Sequence, residues 1–287
     1  MEIVSHVALA QLHPTFGHPE STERLEVLLA AFPAFVAGRP AGEEEVLRCH
    51  TPELLELLRA VDRPVYLEPN TIASATSYEA ALLAAGSAIE AARRGGFALV
   101  RPPGHHAVRE SAFGFCLLNN VAIAARALQA DGEAARVAIV DFDVHHGNGT
   151  QDIFWDDDTV FYASLHQQGI FPGSGGPGEQ RETTVNVPLP AGCGDAEWLA
   201  AFDERVAPAV QRFGPEAVLV SAGFDAHEDE ELYLVDMHVT ESGFRELARR
   251  CGALAPRVAA VLEGGYNVHS LPGCVQAALD GFAENSP

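Results

Sequence analysis

Apolar positions along this chain change their spacing repeatedly between the period of a helix and the continuous run of a buried strand. Apolar residues recur at helical spacing from Ser77 to Arg94, and a short apolar run follows at 97–100. The same reasoning predicts a second helix from Asn120 to Ala130. Further strands are predicted at 137–142, 160–164, 217–221 and 258–262, and further helices near 196–212 and 241–251.

Strands that alternate with helices predict an α/β protein. The expected architecture is a central, mainly parallel sheet with helices on both faces. Neither a fixed-period repeat nor a low-complexity linker interrupts the chain of 287 residues. We therefore expect residues 1–287 to form a single domain.

The charge of the chain narrows the classes of partner. Forty acidic side chains stand against eighteen basic ones, which gives a formal net charge of −22. A negatively charged protein repels the phosphates of a nucleic-acid backbone, so we expect no direct binding of nucleic acid. The same field would attract a cationic substrate toward a cleft.

Cysteine spacing and the first residues argue against a disulfide-stabilised, secreted or membrane protein. The five cysteines include no Cys-x-x-Cys pair, so neither a disulfide framework nor a thiolate zinc site is predicted. The first residues lack the basic segment of a signal peptide, and no apolar run approaches the roughly 18 residues of a membrane span. The sequence thus predicts a cytoplasmic protein with no membrane partner.

Acidic and imidazole side chains follow two of the predicted strands. The strand that begins at 137 runs into Asp141, Asp143, His145 and His146, and the strand that begins at 217 leads to Asp225. Ligand sites of open α/β sheets lie beyond the carboxyl ends of the strands, so we expect these side chains to meet. Burying them requires compensation, which a metal ion would supply. Asp143, His145 and Asp225 are candidate ligands that leave a fourth position open, as in catalytic zinc sites.

Two further segments carry groups suited to catalysis. His105 and His106 follow the strand that ends at residue 100, where one ring can act as base and acid while its neighbour tunes it. Tyr266 follows Gly264 and Gly265, a turn that lets the backbone approach a ligand closely. Its phenol can donate a hydrogen bond to a developing oxyanion.

Seven motifs, in this order, resemble the histone deacetylase family. They are PGHHA at 103–107, GFCLLNN at 114–120, DFDVHHGNGT at 141–150, SLH at 164–166, FPGSG at 171–175, SAGFDAH at 221–227 and EGGYN at 263–267. His-Pro at 13–14, Gly-His-Pro-Glu at 17–20 and Glu-Arg-Leu at 23–25 also match, so the resemblance covers nearly the whole chain. Asn148 stands where class I enzymes carry Asp, which makes the chain similar to the class II and bacterial acetylpolyamine-deacetylase branch.

The resemblance implies a metal-dependent deacetylase that acts on linear amides. Asp143, His145 and Asp225 would bind one Zn²⁺ per chain, and the sequence leaves ferrous iron open as the native ion. The substrate would be an acetylated, or otherwise acylated, lysine side chain of a peptide or protein. An acetylated polyamine is the alternative substrate.

Catalytic roles also follow from the resemblance. His106 would be the general base and then the general acid, and Asn148 would support it. His105, oriented by Asp141, would be its electrostatic partner. Tyr266 would donate a hydrogen bond to the oxyanion.

A substrate tunnel and cation sites are implied as well. The tunnel residues would be Gly114, Phe115, Phe171, Gly264, Asn70 and Leu232. A structural K⁺ or Na⁺ would be held by the side chains of Asp141, Asp143 and Ser164 and by the backbone carbonyls of Asp143, His145 and Leu165. A second such ion is expected near Phe154 and Val160.

Two positions depart from the family pattern. Asn70 stands where the family usually has an Asp that grips the substrate, and Leu232 stands where polyamine-specific relatives place a gatekeeper Glu. Glu230 and Glu231 are alternatives for that missing charge.

Two other functions are alternatives to a deacetylase. One is an arginase-like ureohydrolase with paired manganese, and the other is a non-catalytic module that binds acyl-lysine. The paired histidines and Tyr266 argue against the first, and the complete set of motif residues argues against the second. The sequence does not set the oligomeric state.

Overall fold

The strands form one large sheet and one hairpin. The computed structural model describes residues 1–284. In that part of the chain the strand order of the large sheet is β2-β1-β5-β10-β9-β6-β7-β8, and β3 pairs with β4. The strands are β1 Ile3–Ser5, β2 Val36–Ala37, β3 Val65–Glu68, β4 Thr71–Ala73, β5 Phe97–Ala98, β6 Val137–Asp141, β7 Val160–Gln167, β8 Thr184–Leu189, β9 Ala217–Ala222 and β10 Arg257–Leu262.

Helices connect the strands and cover the sheet. They are α1 Thr22–Ala31, α2 Glu43–Val46, α3 Pro52–Arg59, α4 Ser77–Arg94, α5 Asn120–Ala130, α6 Asn148–Phe154, α7 Asp195–Ala201, α8 Ala207–Phe213, α9 Glu241–Gly252 and α10 Leu271–Ala283. A 3₁₀ turn spans Val7–Ala10, and a π-helical turn spans Phe202–Val206. Of the helices within residues 1–284, none has the length and apolar character needed to cross a membrane.

Burial of both sheet faces explains the apolar strands. Every residue of β6, β7 and β9 is buried, as expected of parallel strands that are covered on both sides. Helix α4 packs against α5, and α9 packs against α10. The central strands are therefore fixed firmly, and their carboxyl ends form a rigid base for side chains.

Strand direction brings the motif segments to one edge. The pairs β5–β10, β10–β9 and β9–β6 are all parallel, so the four strands end on the same side. Asp141 pairs in register with Ser221, and Leu262 pairs with Ala222. The segments that begin at 99, 142, 223 and 263 consequently leave the sheet side by side.

The predicted α/β class with a parallel sheet is confirmed, and the helices at Ser77–Arg94 and Asn120–Ala130 have the predicted bounds. The predicted helix at 196–212 is interrupted by the π-helical turn. Pro208, at the start of α8, has no N–H to donate to the preceding turn. The pattern missed β8, an edge strand that contains Pro188.

Candidate active site

The predicted metal ligands lie together at the carboxyl edge of the sheet. Nδ1 of His145 lies 3.0 Å from Oδ2 of Asp225 and 3.2 Å from Oδ1 of Asp143. One ligand atom from each residue lies within 4.8 Å of the others. Two carboxylate oxygens and one imidazole nitrogen are a donor set that catalytic Zn²⁺ sites use, and the set also suits ferrous iron.

The two carboxylates of this group need a positive partner. Asp143 and Asp225 are fully buried, and their ion-pair partners among residues 1–284 are the imidazoles of His105 and His145. Burial and the charge of Asp143 raise the pKa of Asp225. Burial acts likewise on Asp143, but His105 and His145 outweigh it and hold the pKa of Asp143 below its usual value. A divalent cation would compensate both carboxylates, so the residues fit a metal ion.

The tandem histidines have different partners. Their ring centroids are 4.0 Å apart. Nδ1 of His105 lies 3.0 Å from Oδ2 of Asp141, whereas Nδ1 of His106 lies 2.8 Å from Oδ1 of Asn148. One imidazole is therefore bound to a carboxylate and the other to a neutral amide.

This difference separates the protonation states of the two rings. Burial lowers the pKa of His105, but Asp143 and Asp141 outweigh it and raise the pKa to about 10. Burial lowers the pKa of His106, and the charges of His105 and His145 push it further below its usual value. The pKa values of the two rings are thus shifted in opposite directions, which is how acid and base roles are divided in many active sites.

Asp141 lies behind these groups and joins them to the sheet. Its Oδ2 accepts a hydrogen bond from the Tyr162 hydroxyl at 3.1 Å, and its Oδ1 accepts one from the Asp143 N–H at 3.1 Å. Asp141 is also in register with Ser164 of β7. The cation site at Asp141, Asp143, His145, Ser164 and Leu165 and the second one near Phe154 and Val160 stay predictions.

A cavity of about 280 Å³ reaches this group. Five of the six predicted tunnel residues line it, as do the predicted base, one predicted metal ligand and the predicted oxyanion donor. Two further lining residues had no predicted role. The lining residues are Pro19, Asn70, His106, Gly114, Phe115, His145, Phe171, Leu232, Tyr233 and Tyr266.

The sixth predicted tunnel residue, Gly264, is not among them. Its N–H donates to Oδ2 of Asp143 at 2.8 Å, and a Cβ there would lie 2.6 Å from the same oxygen. Gly264 therefore supports the predicted metal ligand Asp143, and it is not among the residues that line the cavity.

Aromatic rings form two walls of the cavity. Phe171 meets the His106 ring edge to face at 5.1 Å, and Phe115 meets Tyr266 in the same way at 5.7 Å. Gly114 has a φ of 56°, and a Cβ there would lie 2.6 Å from Cδ2 of His106. Only glycine therefore lets this wall approach the predicted base so closely.

Arg24 supports Tyr266; it belongs to the Glu-Arg-Leu motif, but sequence reasoning assigned it no role. Its guanidinium carbon lies 4.7 Å from the centre of the Tyr266 ring. Nε donates to the Gly265 carbonyl and Nη2 donates to the Glu263 carbonyl, both at 2.6 Å. Glu20, four residues before Arg24 and just ahead of α1, forms an ion pair with this arginine at 3.2 Å. The motif at 23–25 was the signal present in the sequence.

Neither candidate for the missing gatekeeper charge lines the cavity. Glu230 turns inward and accepts hydrogen bonds from the N–H groups of Tyr266 and Asn267, at 2.7 and 3.3 Å. Glu231 is exposed. Leu232 lines the mouth instead, so the described part of the chain places no carboxylate on the cavity wall.

Asn70 is held by a neighbouring carboxylate. The side-chain amide of Asn70 finds a hydrogen-bond acceptor when its nitrogen faces Glu68, and this nitrogen then lies 3.2 Å from Oε2. Glu68 also accepts a hydrogen bond from the Gly114 N–H at 3.0 Å. Asn70 therefore gives the mouth an oriented but uncharged side chain.

Comparison with known proteins agrees with this geometry. Residues 18–282 match the family model described as the histone deacetylase domain. Histone deacetylase 10, chloroplastic, of Oryza sativa subsp. japonica is 38% identical, over 94% of this chain and 70% of its own length.

Two solved structures share the fold. The HD domain of HDA15 is 36% identical with a TM-score of 0.93, covering 98% of this chain and 90% of that one. An acetylpolyamine aminohydrolase from Burkholderia pseudomallei is 29% identical with a TM-score of 0.87, covering 99% of both chains. The chain belongs to the histone deacetylase family and is a hydrolase that acts on amides.

Proposed function

We propose that this enzyme is a Zn²⁺-dependent deacetylase that hydrolyses the amide of N-acetyl, or related acyl, lysine side chains in proteins. The observation that carries the proposal is the aromatic-walled cavity, which has no carboxylate on its described wall and leads to His106, His145 and Tyr266. A neutral acyl-lysine chain suits such a wall better than a polycation does, because a buried ammonium group needs a partner.

The residues of the site divide the chemistry of hydrolysis. Asp143, His145 and Asp225 would hold the Zn²⁺ ion, which would supply Lewis acidity to the amide carbonyl and lower the pKa of a water molecule. His106 is neutral, so it accepts a proton from the attacking water and then delivers it to the leaving amine.

Hydrogen bonds prepare these groups for their roles. Oδ1 of Asn148 accepts a hydrogen bond from Nδ1 of His106, which leaves Nε2 of that ring for the proton transfer. The Tyr266 hydroxyl has no hydrogen-bond partner within residues 1–284, so it is free to donate to the oxyanion. Burial raises the pKa of Tyr266 well above its usual value, which keeps the phenol protonated for that purpose.

The alternative substrate is an acetylated polyamine. The net charge of −22 favours it, because a negative field concentrates cations near the mouth. The uncharged Asn70 and Leu232 oppose it, because neither offers an ionic partner to a second ammonium group.

Three further expectations belong to the proposal. Residues 1–287 form a single catalytic domain, a structural K⁺ or Na⁺ binds at the cation sites, and the enzyme works in the cytoplasm. Ferrous iron is the alternative to zinc, since the ligand set suits both ions.

The test compares kcat/KM for acetyl-lysine peptides and N-acetylated polyamines with zinc-loaded protein, using Tyr266→Phe as the blank. We expect the peptides to be preferred, and we expect Tyr266→Phe to lower kcat roughly 10²- to 10³-fold. A preference for polyamines would replace the substrate class. Equal rates for Tyr266→Phe and the wild type would overturn the mechanism.

A further inference from the structure

Side chains from distant parts of the chain hold the backbone of the loop that carries Tyr266. Arg24 binds the carbonyls of Glu263 and Gly265, and Asp143 accepts the Gly264 N–H. Gly265 has a φ of 107°, a conformation that L side chains rarely adopt. The loop is therefore not a regular turn, and its shape depends on these external contacts.

Glu230 binds the backbone of Tyr266 itself. Its Oε2 accepts hydrogen bonds from two successive backbone donors, the Tyr266 N–H at 2.7 Å and the Asn267 N–H at 3.3 Å. Charged acceptors bind backbone N–H groups about twice as strongly as neutral ones. One carboxylate thus fixes the backbone from which the Tyr266 ring projects.

The same carboxylate belongs to the loop that forms the cavity mouth. Leu232 and Tyr233, two and three residues after Glu230, line the cavity. A second bond between the loops joins the Asn267 side-chain nitrogen to the Asp229 carbonyl at 2.7 Å. The wall that a substrate touches is therefore tied directly to the loop of the oxyanion donor.

We propose that Glu230 is a positioning residue that sets the location of the Tyr266 phenol and couples it to the mouth formed by Leu232 and Tyr233. The inference rests on the proposed function, because it takes Tyr266 to be the oxyanion donor. Glu230 itself faces away from the substrate, so its effect on the reaction passes through the backbone of Tyr266.

The experiment uses Glu230→Ala, Glu230→Gln and the control Glu231→Gln in zinc-loaded protein. Glu231 is the adjacent exposed glutamate, so this control removes the same charge without touching the loop contact. Because a displacement near 1 Å can cost about 10² in rate, we expect Glu230→Ala to lower kcat roughly 10- to 100-fold with a smaller change in KM. Glu230→Gln keeps an acceptor oxygen and recovers part of the rate, and Glu231→Gln matches the wild type.

Two measurements separate positioning from a loss of fold. Amide hydrogen exchange across 264–268 rises in Glu230→Ala, while zinc content stays at that of the wild type. In a Tyr266→Phe background, Glu230→Ala lowers kcat by less than about twofold, because the two changes then remove the same interaction.

Three results would distinguish a failure of the inference from a failure of the proposed function. If Tyr266→Phe is impaired and Glu230→Ala keeps the wild-type kcat, Glu230 is not a positioning residue and the proposed function stands. If Glu230→Ala lowers kcat equally in the Tyr266→Phe background, its effect does not pass through the phenol and the inference is wrong. If Tyr266→Phe itself turns over like the wild type, the proposed function and the inference fail together.

Discussion

His106 makes its Nδ1 hydrogen bond to an amide, the Oδ1 of Asn148, at 2.8 Å. The neighbouring His105 makes the equivalent bond to the carboxylate of Asp141. Since the base must be neutral to accept a proton, the amide partner keeps His106 active at lower pH than a carboxylate would.

Replacing Asn148 by Asp therefore shifts the pH dependence. A negative charge beside His106 raises its pKa, so the acidic limb of kcat/KM moves to higher pH by roughly one unit. The measurement is the pH profile of kcat/KM, with Asn148→Ala as the control that removes the partner without adding charge. An unmoved limb in Asn148→Asp would show that another group limits the rate at low pH.

Gly264→Ala is expected to weaken metal binding. The new Cβ would lie 2.6 Å from Oδ2 of Asp143 and still closer to Oδ2 of Asp225, so both carboxylates must shift. Changes that displace ligands indirectly cost about 10- to 100-fold in affinity. Zinc content after dialysis against a chelator reports the loss, and Gly178→Ala, where a Cβ meets nothing within 4 Å, is the control. Equal zinc retention in the two variants would contradict this reading of the loop.

Leu232→Glu is expected to change substrate preference. It places a carboxylate on a cavity wall where the described residues offer none, so an ammonium group at the mouth gains an ionic partner. We expect kcat/KM for N-acetylated polyamines to rise about tenfold relative to acetyl-lysine peptides, and less at high salt. Leu232→Gln is the uncharged control. A gain of the same size in the control would mean that shape, and not charge, governs the choice.

Stability should fall between pH 6.5 and pH 4 because of His50. Its Nδ1 lies 3.0 Å from the Val108 carbonyl, and its Nε2 accepts the Asn119 N–H at 2.9 Å, so both ring nitrogens are committed in the neutral form. Burial lowers its pKa from 6.5 to about 4. As the pH falls below 6.5, the unfolded chain takes up the proton first, and the folded state loses stability until the pH reaches about 4.

The expected loss from His50 is about 2 kcal/mol at pH 5. Urea unfolding at pH 7.5 and pH 5 measures it. His50→Gln should reduce the difference between the two pH values, whereas the exposed control His269→Gln should not. If His50→Gln keeps the full difference, the acid sensitivity arises elsewhere.

The enzyme should resist chemical acylation, because its eighteen basic side chains are all arginine and the chain contains no lysine. Guanidinium groups stay protonated and do not attack acyl esters. An excess of an acetyl N-hydroxysuccinimide ester should add one stable acetyl group, at the α-amino group, and leave kcat unchanged. Arg212→Lys supplies the control and should gain a second acetyl group by intact mass. Loss of activity in the wild type would reveal an essential nucleophile of another kind.

The sequence determined the parts of this protein that depend on local pattern. Apolar periodicity gave the bounds of α4 and α5, and the motifs after the strands indicated His106, Asp143 and Tyr266 as neighbours. The motif residues could be predicted as neighbours because the strands are parallel, so the residues that follow each strand lie at the same edge of the sheet.

Only the tertiary structure decided how these groups are supported. Arg24 contacts Gly265 across 241 positions of the chain, and Glu230 contacts Tyr266 across 36. Spacing in the sequence carries no information about such pairs, because the strand order and the loop paths bring them together. The direction of Glu230 away from the mouth had the same origin: a carboxylate near two unpaired backbone N–H groups is stabilised more by binding them than by facing solvent.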